Sequence, residues 1–166
     1  MLTFRLANPS DRTAVMALLR EIMELHGVSV PAEERLGSVL EVILAESAAN
    51  ATSPPETPPD RHHSILVAEQ DGTILGMCAV IFSLSTWSAA PVCEVQDLVV
   101  TAEHRRNEIG RGLLQMAERL ARQRGCARLF LLTESWNLGA HAFYRSLGLS
   151  EKTCLYFERA LEPTEH

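Results

Sequence analysis

The stretch DLVV-TAEHRRNEI-GRGLLQMAERLARQRG, residues 97–125, changes its hydrophobic period once. Its start ends an apolar run, PVCEVQDLVV, that reads as a strand. From Gly110 onward, Leu113, Ala117, Leu120 and Ala121 fall at the spacing of a buried helical stripe. A chain that passes from strand to helix through such a joint has to lay the helix on a sheet, so the stretch points to an α/β fold.

The joint itself carries two adjacent arginines and two glycines. Gly110 and Gly112 let the backbone turn tightly and come close to a ligand. The first turn of the helix exposes unpaired N–H groups at the positive end of its dipole, which suits a phosphate or diphosphate. Arg105, Arg106 and Arg111 add positive charge there. The alternative is that these residues shape a turn and decorate an exposed helix face. Charge distribution bears on the choice. From Arg105 to Arg128 there are seven arginines against two glutamates, while residues 1–104 hold five arginines against fourteen acids. A lone basic segment in an acidic chain suits a small anion better than nucleic acid, which asks for a broad basic face.

The rest of the chain continues the alternation. LTFRL is a short strand, and NPSDR opens a helix that runs to Gly27. A second helix, about Pro31 to Ala49, turns Leu36, Val39, Leu40, Ile43 and Leu44 to one side. A Pro-rich surface loop follows at about 50–63. Two strands, SILVAEQ and TILGMCAVIFSLS, flank the hairpin signal Asp71-Gly72. After the opening stretch come the strand ARLFLLTE, the short helix NLGAHAFYRSLG closed by Gly148, and a last strand, KTCLYFERAL. At 166 residues this is one domain, residues 1–166. Cys78, Cys93, Cys126 and Cys154 show no C-x-x-C spacing and read as buried thiols, with no metal site. No apolar stretch reaches the roughly 20 residues that span a bilayer, and the N-terminus lacks a secretory pattern, so a cytoplasmic location is expected.

Two motifs together carry a resemblance. Arg105-Arg106-Asn107-Glu108-Ile109-Gly110 stands where the GCN5-related N-acetyltransferase (GNAT) family has its diphosphate motif, R/Q-x-x-G-x-G/A. Asn137, Ala140, Phe143, Tyr144 and Gly148 match the family's later N-x-x-A-x-x-F-Y-x-x-x-G-F, with Leu149 for the final Phe. The chain resembles this family over its whole length. The resemblance implies a mixed, mostly antiparallel sheet of six to seven strands flanked by about four helices. It also implies an acetyl-CoA-dependent N-acetyltransferase. The pantetheine arm would lie along Leu98, Val99 and Val100 where the fourth and fifth strands splay. The diphosphate would sit on the segment from Arg105 through Arg106, Asn107, Glu108, Ile109, Gly110 and Arg111 to Gly112. Asn137 and Phe143 would line the cofactor, and Tyr144 would protonate the departing thiolate. A tyrosine suits that task because its reference pKa, about 10, keeps the proton at neutral pH.

Glu108 departs from the motif's first glycine. A carboxylate there would cost about 1–3 kcal/mol beside a diphosphate, although acids are also favoured at helix starts. The attacking amine must lose a proton, and Glu94 and Asp97 are the candidate bases, acting through a water chain. Strand alternation places Glu94 and Gln96 on one face and Asp97 on the other, which separates the two acids. Ser85-Thr86-Trp87, Gln96-Asp97 and Trp136-Asn137 look most like the diamine and polyamine acetyltransferase branch. The expected acceptor is therefore a polyamine-like or amino-acid amine. Peptide or protein amines and aminoglycosides stay as alternatives, as does a CoA-binding sensor module with weak catalysis. Family members often form dimers, so a second copy of this chain is a candidate partner.

Overall fold

The structure, a computed structural model, describes residues 1–51 and 62–161. Most of the Pro-rich loop expected at 50–63 thus lies outside the described residues. The chain divides into two compact units, Met1–Leu132 and Thr133–His166.

The first unit is built on a sheet in which strand order follows chain order. Strands β1 (Leu2–Leu6), β2 (His63–Gln70), β3 (Thr73–Ser85) and β4 (Ala90–Val100) are antiparallel neighbours. Strand β5 (Leu129–Leu131) pairs with β4 in parallel. The β2–β3 hairpin closes through Asp71 at φ +51° and Gly72 at φ +80°, the paired positive angles that match the twist of the flanking strands.

Helices cover both faces. Helix α1 (Arg12–Leu25) follows a turn of 3-10 helix whose Asn8 side chain accepts from the Ser10 N–H at 2.9 Å. Helix α2 (Glu33–Asn50) and α1 bury Val15, Leu18, Leu36, Leu40 and Leu44 against Ile65, Val67, Met77 and Val99 of the sheet. The expected stripe on α2 is narrower than its sequence, since Val39 is 52% exposed. Polar side chains fasten the end of α2 to β2. Ser47 Oγ donates to the Ile65 carbonyl and accepts its N–H, both at 3.1 Å, and Asn50 Nδ2 donates to the His63 carbonyl at 2.8 Å. Helix α3 (Ile109–Gln123) packs on the other face, where Phe82, Val80 and Val95 are buried. Its buried residues are Ile109, Leu113, Leu114, Ala117 and Ala121, so Leu114 replaces Leu120 in the expected stripe.

One irregularity in β4 sets the geometry of the site. Val95 pairs with Val80 and Asp97 with Ala79, which leaves Gln96 as an extra, bulged residue. The parallel ladder to β5 runs only from Cys93 to Val95. The bulge and the departure of β5 therefore coincide.

In the second unit, helix α4 (Leu138–Ser146) begins at Asn137, whose Oδ1 accepts the Ala140 N–H at 3.2 Å. It ends with Gly148 N–H donating to the Arg145 carbonyl and Leu149 N–H to that of Tyr144. Two expectations fail here. The sheet has five strands among the described residues, not six or seven, because KTCLYFERAL forms no ladder. Its strand-forming side chains, Leu155, Tyr156 and Phe157, are more than 70% exposed. A strand is held by pairing, and without a neighbour β-propensity alone cannot fix it. The reading of all four cysteines as buried also fails. Cys78 and Cys93 are buried, with burial pushing the Cys93 thiol up to about 12, but Cys126 is half-buried just past the turn that ends α3, and Cys154 is exposed in the segment without strand pairing among the described residues. No helix of the described residues is long and apolar enough to cross a membrane.

Candidate functional site

The cradle begins at the first turn of α3. Ile109, Gly110 and Arg111 lie ahead of the first intrahelical hydrogen bond, which runs from Gly112 N–H to the Glu108 carbonyl at 2.9 Å. The side chain of the N-cap residue, Glu108, makes no capping hydrogen bond to them. Three uncapped amides at the positive end of a helix are an anion site by geometry.

The residues before the helix are held in an unusual backbone. Arg106 at φ +65° and Glu108 at φ +61° are both left-handed. Glu108 thus occupies a conformation in which a side chain costs about 1–2 kcal/mol. Its carboxylate forms an ion pair with Arg111 one turn on, and both side chains remain partly exposed. Arg105 turns away from the helix. Its Nη2 donates to Glu21 of α1 at 2.7 Å and its Nε to the Val100 carbonyl at 3.0 Å, so it ties the end of β4 to α1. Of the three arginines, Arg106 carries no ion pair among the described residues. Gly112, expected at a ligand, faces Phe4 of β1 instead; a Cβ there would lie 2.1 Å from the ring. Its small size serves packing of helix on strand.

Beside the cradle runs the outer edge of β4. Past Val95 it has no strand on the β5 side among the described residues. Leu98, Val99 and Val100 lie on this stretch, with the Val99 side chain buried in the α1–α2 core.

The bulge corrects the expected placement of the two acids. Glu94 pairs with Ile81 and Asp97 with Ala79, and Ile81 and Ala79 share a face of β3. Glu94 and Asp97 therefore lie on the same face, toward α1 and α2. Asp97 lines a cavity of about 180 Å³ between those helices and the sheet. Burial raises its carboxyl above the ordinary range, and the charge of His26 pulls partly the other way. Gln96, Ser64 and His63 also reach this cavity, and His63 Nδ1 lies 3.0 Å from Glu46 Oε2. The sequence reading missed His63, Glu46 and the helical walls. Met23, Leu36 and Ile43 obey the rule for core residues, so nothing in their pattern marks a cavity. In the second unit, the rings of Phe143 and Tyr144 meet edge-on at 5.3 Å, and the Asn137 carboxamide oxygen serves the helix cap.

The sequence profile of the acetyltransferase (GNAT) family matches residues 38–149. A thialysine N-epsilon-acetyltransferase of Bos taurus is 29% identical over 168 residues, covering 93% of this chain and 91% of that protein. Among solved structures, an aminoglycoside acetyltransferase from an uncultured soil metagenomic sample, in complex with sisomicin, has a TM-score of 0.73 at 19% identity over 97% of each chain. AAC(6')-Iy, in complex with the bisubstrate analogue CoA-S-monomethyl-acetylneamine, has a TM-score of 0.78 at 16% identity, covering 97% of this chain and 99% of that one. The two structural likenesses establish the fold. The profile covers well over half of the sequence, including both motifs and the strand–bulge–helix cradle, and the chain accordingly belongs to the GNAT family of acetyltransferases and is an acyltransferase enzyme.

Proposed function

We propose that the chain transfers the acetyl group of acetyl-CoA to the primary amine of a small molecule, a polyamine-like or amino-acid amine. The observation that carries this reading is the uncapped start of α3 beside the unpaired outer edge of β4. The fit is good for an anionic, extended ligand. Amides of Ile109, Gly110 and Arg111, with Arg106, would take the diphosphate, and backbone groups of Leu98 to Val100 would take the pantetheine. Asn107 and Glu108 shape the loop, and Asn137 and Phe143 belong to the cofactor side by their motif. When bound, acetyl-CoA supplies a thioester whose carbonyl an amine can attack. Tyr144 holds a proton for the departing thiolate. Asp97 binds the incoming ammonium, and with Glu94 on the same face it takes the amine's proton through water. The relative that acts on thialysine at N-epsilon supports an amino-acid side-chain amine. The reading includes a homodimer in the cytoplasm, and light scattering on the purified chain tests the dimer.

The experiment is a calorimetric titration with acetyl-CoA, followed by thiol release against a panel of amines. Micromolar binding with turnover on a small amine supports the reading; no binding overturns it. One observation favours a second reading, a CoA-binding sensor. Glu108 places a carboxylate at the cradle and occupies Arg111. Tyr144→Phe separates the two, since a sensor loses nothing and an enzyme loses turnover.

A further inference from the structure

The cavity beneath α1 and α2 has an uneven lining. Leu19, Met23, Leu36, Leu40, Ile43 and Met77 form apolar walls, and Asp97 is the one carboxylate among its lining residues. Asp97 stands beside the Gln96 bulge, where β5 leaves β4. The apolar walls thus come chiefly from α1 and α2, and Asp97 and Gln96 come from β4, with the acid next to the strand edge assigned above to the pantetheine.

Size and charge restrict what fits. An apolar cavity of about 150 Å³ takes up a benzene, so about 180 Å³ suits a body of roughly six carbons. One carboxylate can pair one ammonium. A second ammonium set among the leucines and methionines of the walls would meet no second carboxylate of the lining, which is costly. We infer that the acceptor is a primary amine carried on a short apolar chain, its body lodged between α1 and α2 and its ammonium held by Asp97. This rests on the acetyl-transfer reading and narrows it, setting aside polycations such as spermidine.

The test compares ethylamine, hexylamine, hexane-1,6-diamine and spermidine on the full chain, by thiol release and by direct calorimetry of each amine without acetyl-CoA. Hexylamine is expected to have a kcat/KM at least tenfold above both hexane-1,6-diamine and spermidine, and tenfold above ethylamine. Val39 lies at the exposed mouth of the cavity, on a helix surface that tolerates a larger side chain. Val39→Trp should cost hexylamine about tenfold more than ethylamine. A diamine or spermidine that matches or beats hexylamine overturns the inference, as does equal use of ethylamine. If acetyl-CoA itself fails to bind, the acetyl-transfer reading falls, and the amine titrations decide this one alone. Hexylamine binding that weakens tenfold in both Val39→Trp and Asp97→Asn then supports it, and absence of such binding overturns it.

Discussion

Gly112 of α3 lies under the ring of Phe4 in β1, so close that a methyl on it would stand 2.1 Å from Cζ and 2.6 and 2.7 Å from Cε1 and Cε2. The whole end of the ring would have to move, and both residues sit within regular elements. Gly112→Ala should lower stability by about 1–3 kcal/mol, the usual cost of overpacking. Urea unfolding measures it. Phe4→Leu in the same chain should recover part of the loss, and a purely additive double mutant would show that the clash is not the cause.

Glu108 combines a left-handed backbone with an ion pair to Arg111. Glu108→Gly relieves the first and frees the guanidinium of the second. Acetyl-CoA should bind about 5- to 20-fold more tightly, and the gain should shrink as salt rises. Unchanged affinity would mean that Glu108 does not border the diphosphate.

Tyr144→Phe removes one hydroxyl from α4 while keeping the ring that meets Phe143. The expected outcome is a loss of about 10²- to 10⁴-fold in kcat, the range for a positioned proton donor. The Kd for acetyl-CoA should stay within about twofold. A kcat unchanged by the substitution would remove Tyr144 from the chemistry.

Asp11 and Asp97 should respond to pH with opposite signs. The Asp11 carboxylate accepts from Nη1 and Nη2 of Arg5 at 2.7 and 2.8 Å, and this pairing, with the Asn8 N–H, holds its pKa below the ordinary value despite burial. The unfolded chain then binds the extra proton as pH falls. The stability that Asp11 contributes is complete above about pH 4 and disappears as pH drops through the folded value. Asp11→Asn should cost about 2 kcal/mol at pH 7, with the difference closing in acid.

Asp97 has a raised pKa, chiefly from burial, so the folded chain is the one that holds the extra proton. Stability falls as pH climbs from about 4 through the folded value. Asp97→Asn should therefore raise Tm by about 2–4 °C at neutral pH and by nothing at acidic pH. The same variant should lose at least tenfold in kcat/KM for amines. A variant that is more stable and fully active would leave Asp97 without a role in binding.

Local signals were read correctly where a physical cause acts within a few residues. The helix start at NPSDR, the Asp71-Gly72 turn and the stop at Gly148 mark the ends of elements because capping and turn geometry are short-range. The period change after Val100 located α3 for the same reason. Features that depend on a distant partner were not legible. Gly112 looks like a ligand glycine until Phe4, over a hundred residues earlier, is seen against it. Arg105 looks like part of the anion site until Glu21 claims it. KTCLYFERAL has the composition of a strand, yet it has no strand pairing among the described residues, and composition cannot supply one. The same limit hid the face shared by Glu94 and Asp97, since a bulge is a mismatch between two strands and has no signature in either one.

That mismatch bears on how long β4 needs to be. With Gln96 deleted, Val95 opposite Val80 and Asp97 opposite Ala79 would become consecutive rungs, and the ladder to β3 would run unbroken. Every side chain from Pro91 to Val100 would keep its present face. The fold thus has no use for the residue, and a chain one residue shorter should still assemble. What it would lose is the extra residue just past the last rung to β5, so the deletion asks at a single codon whether anything other than folding depends on it.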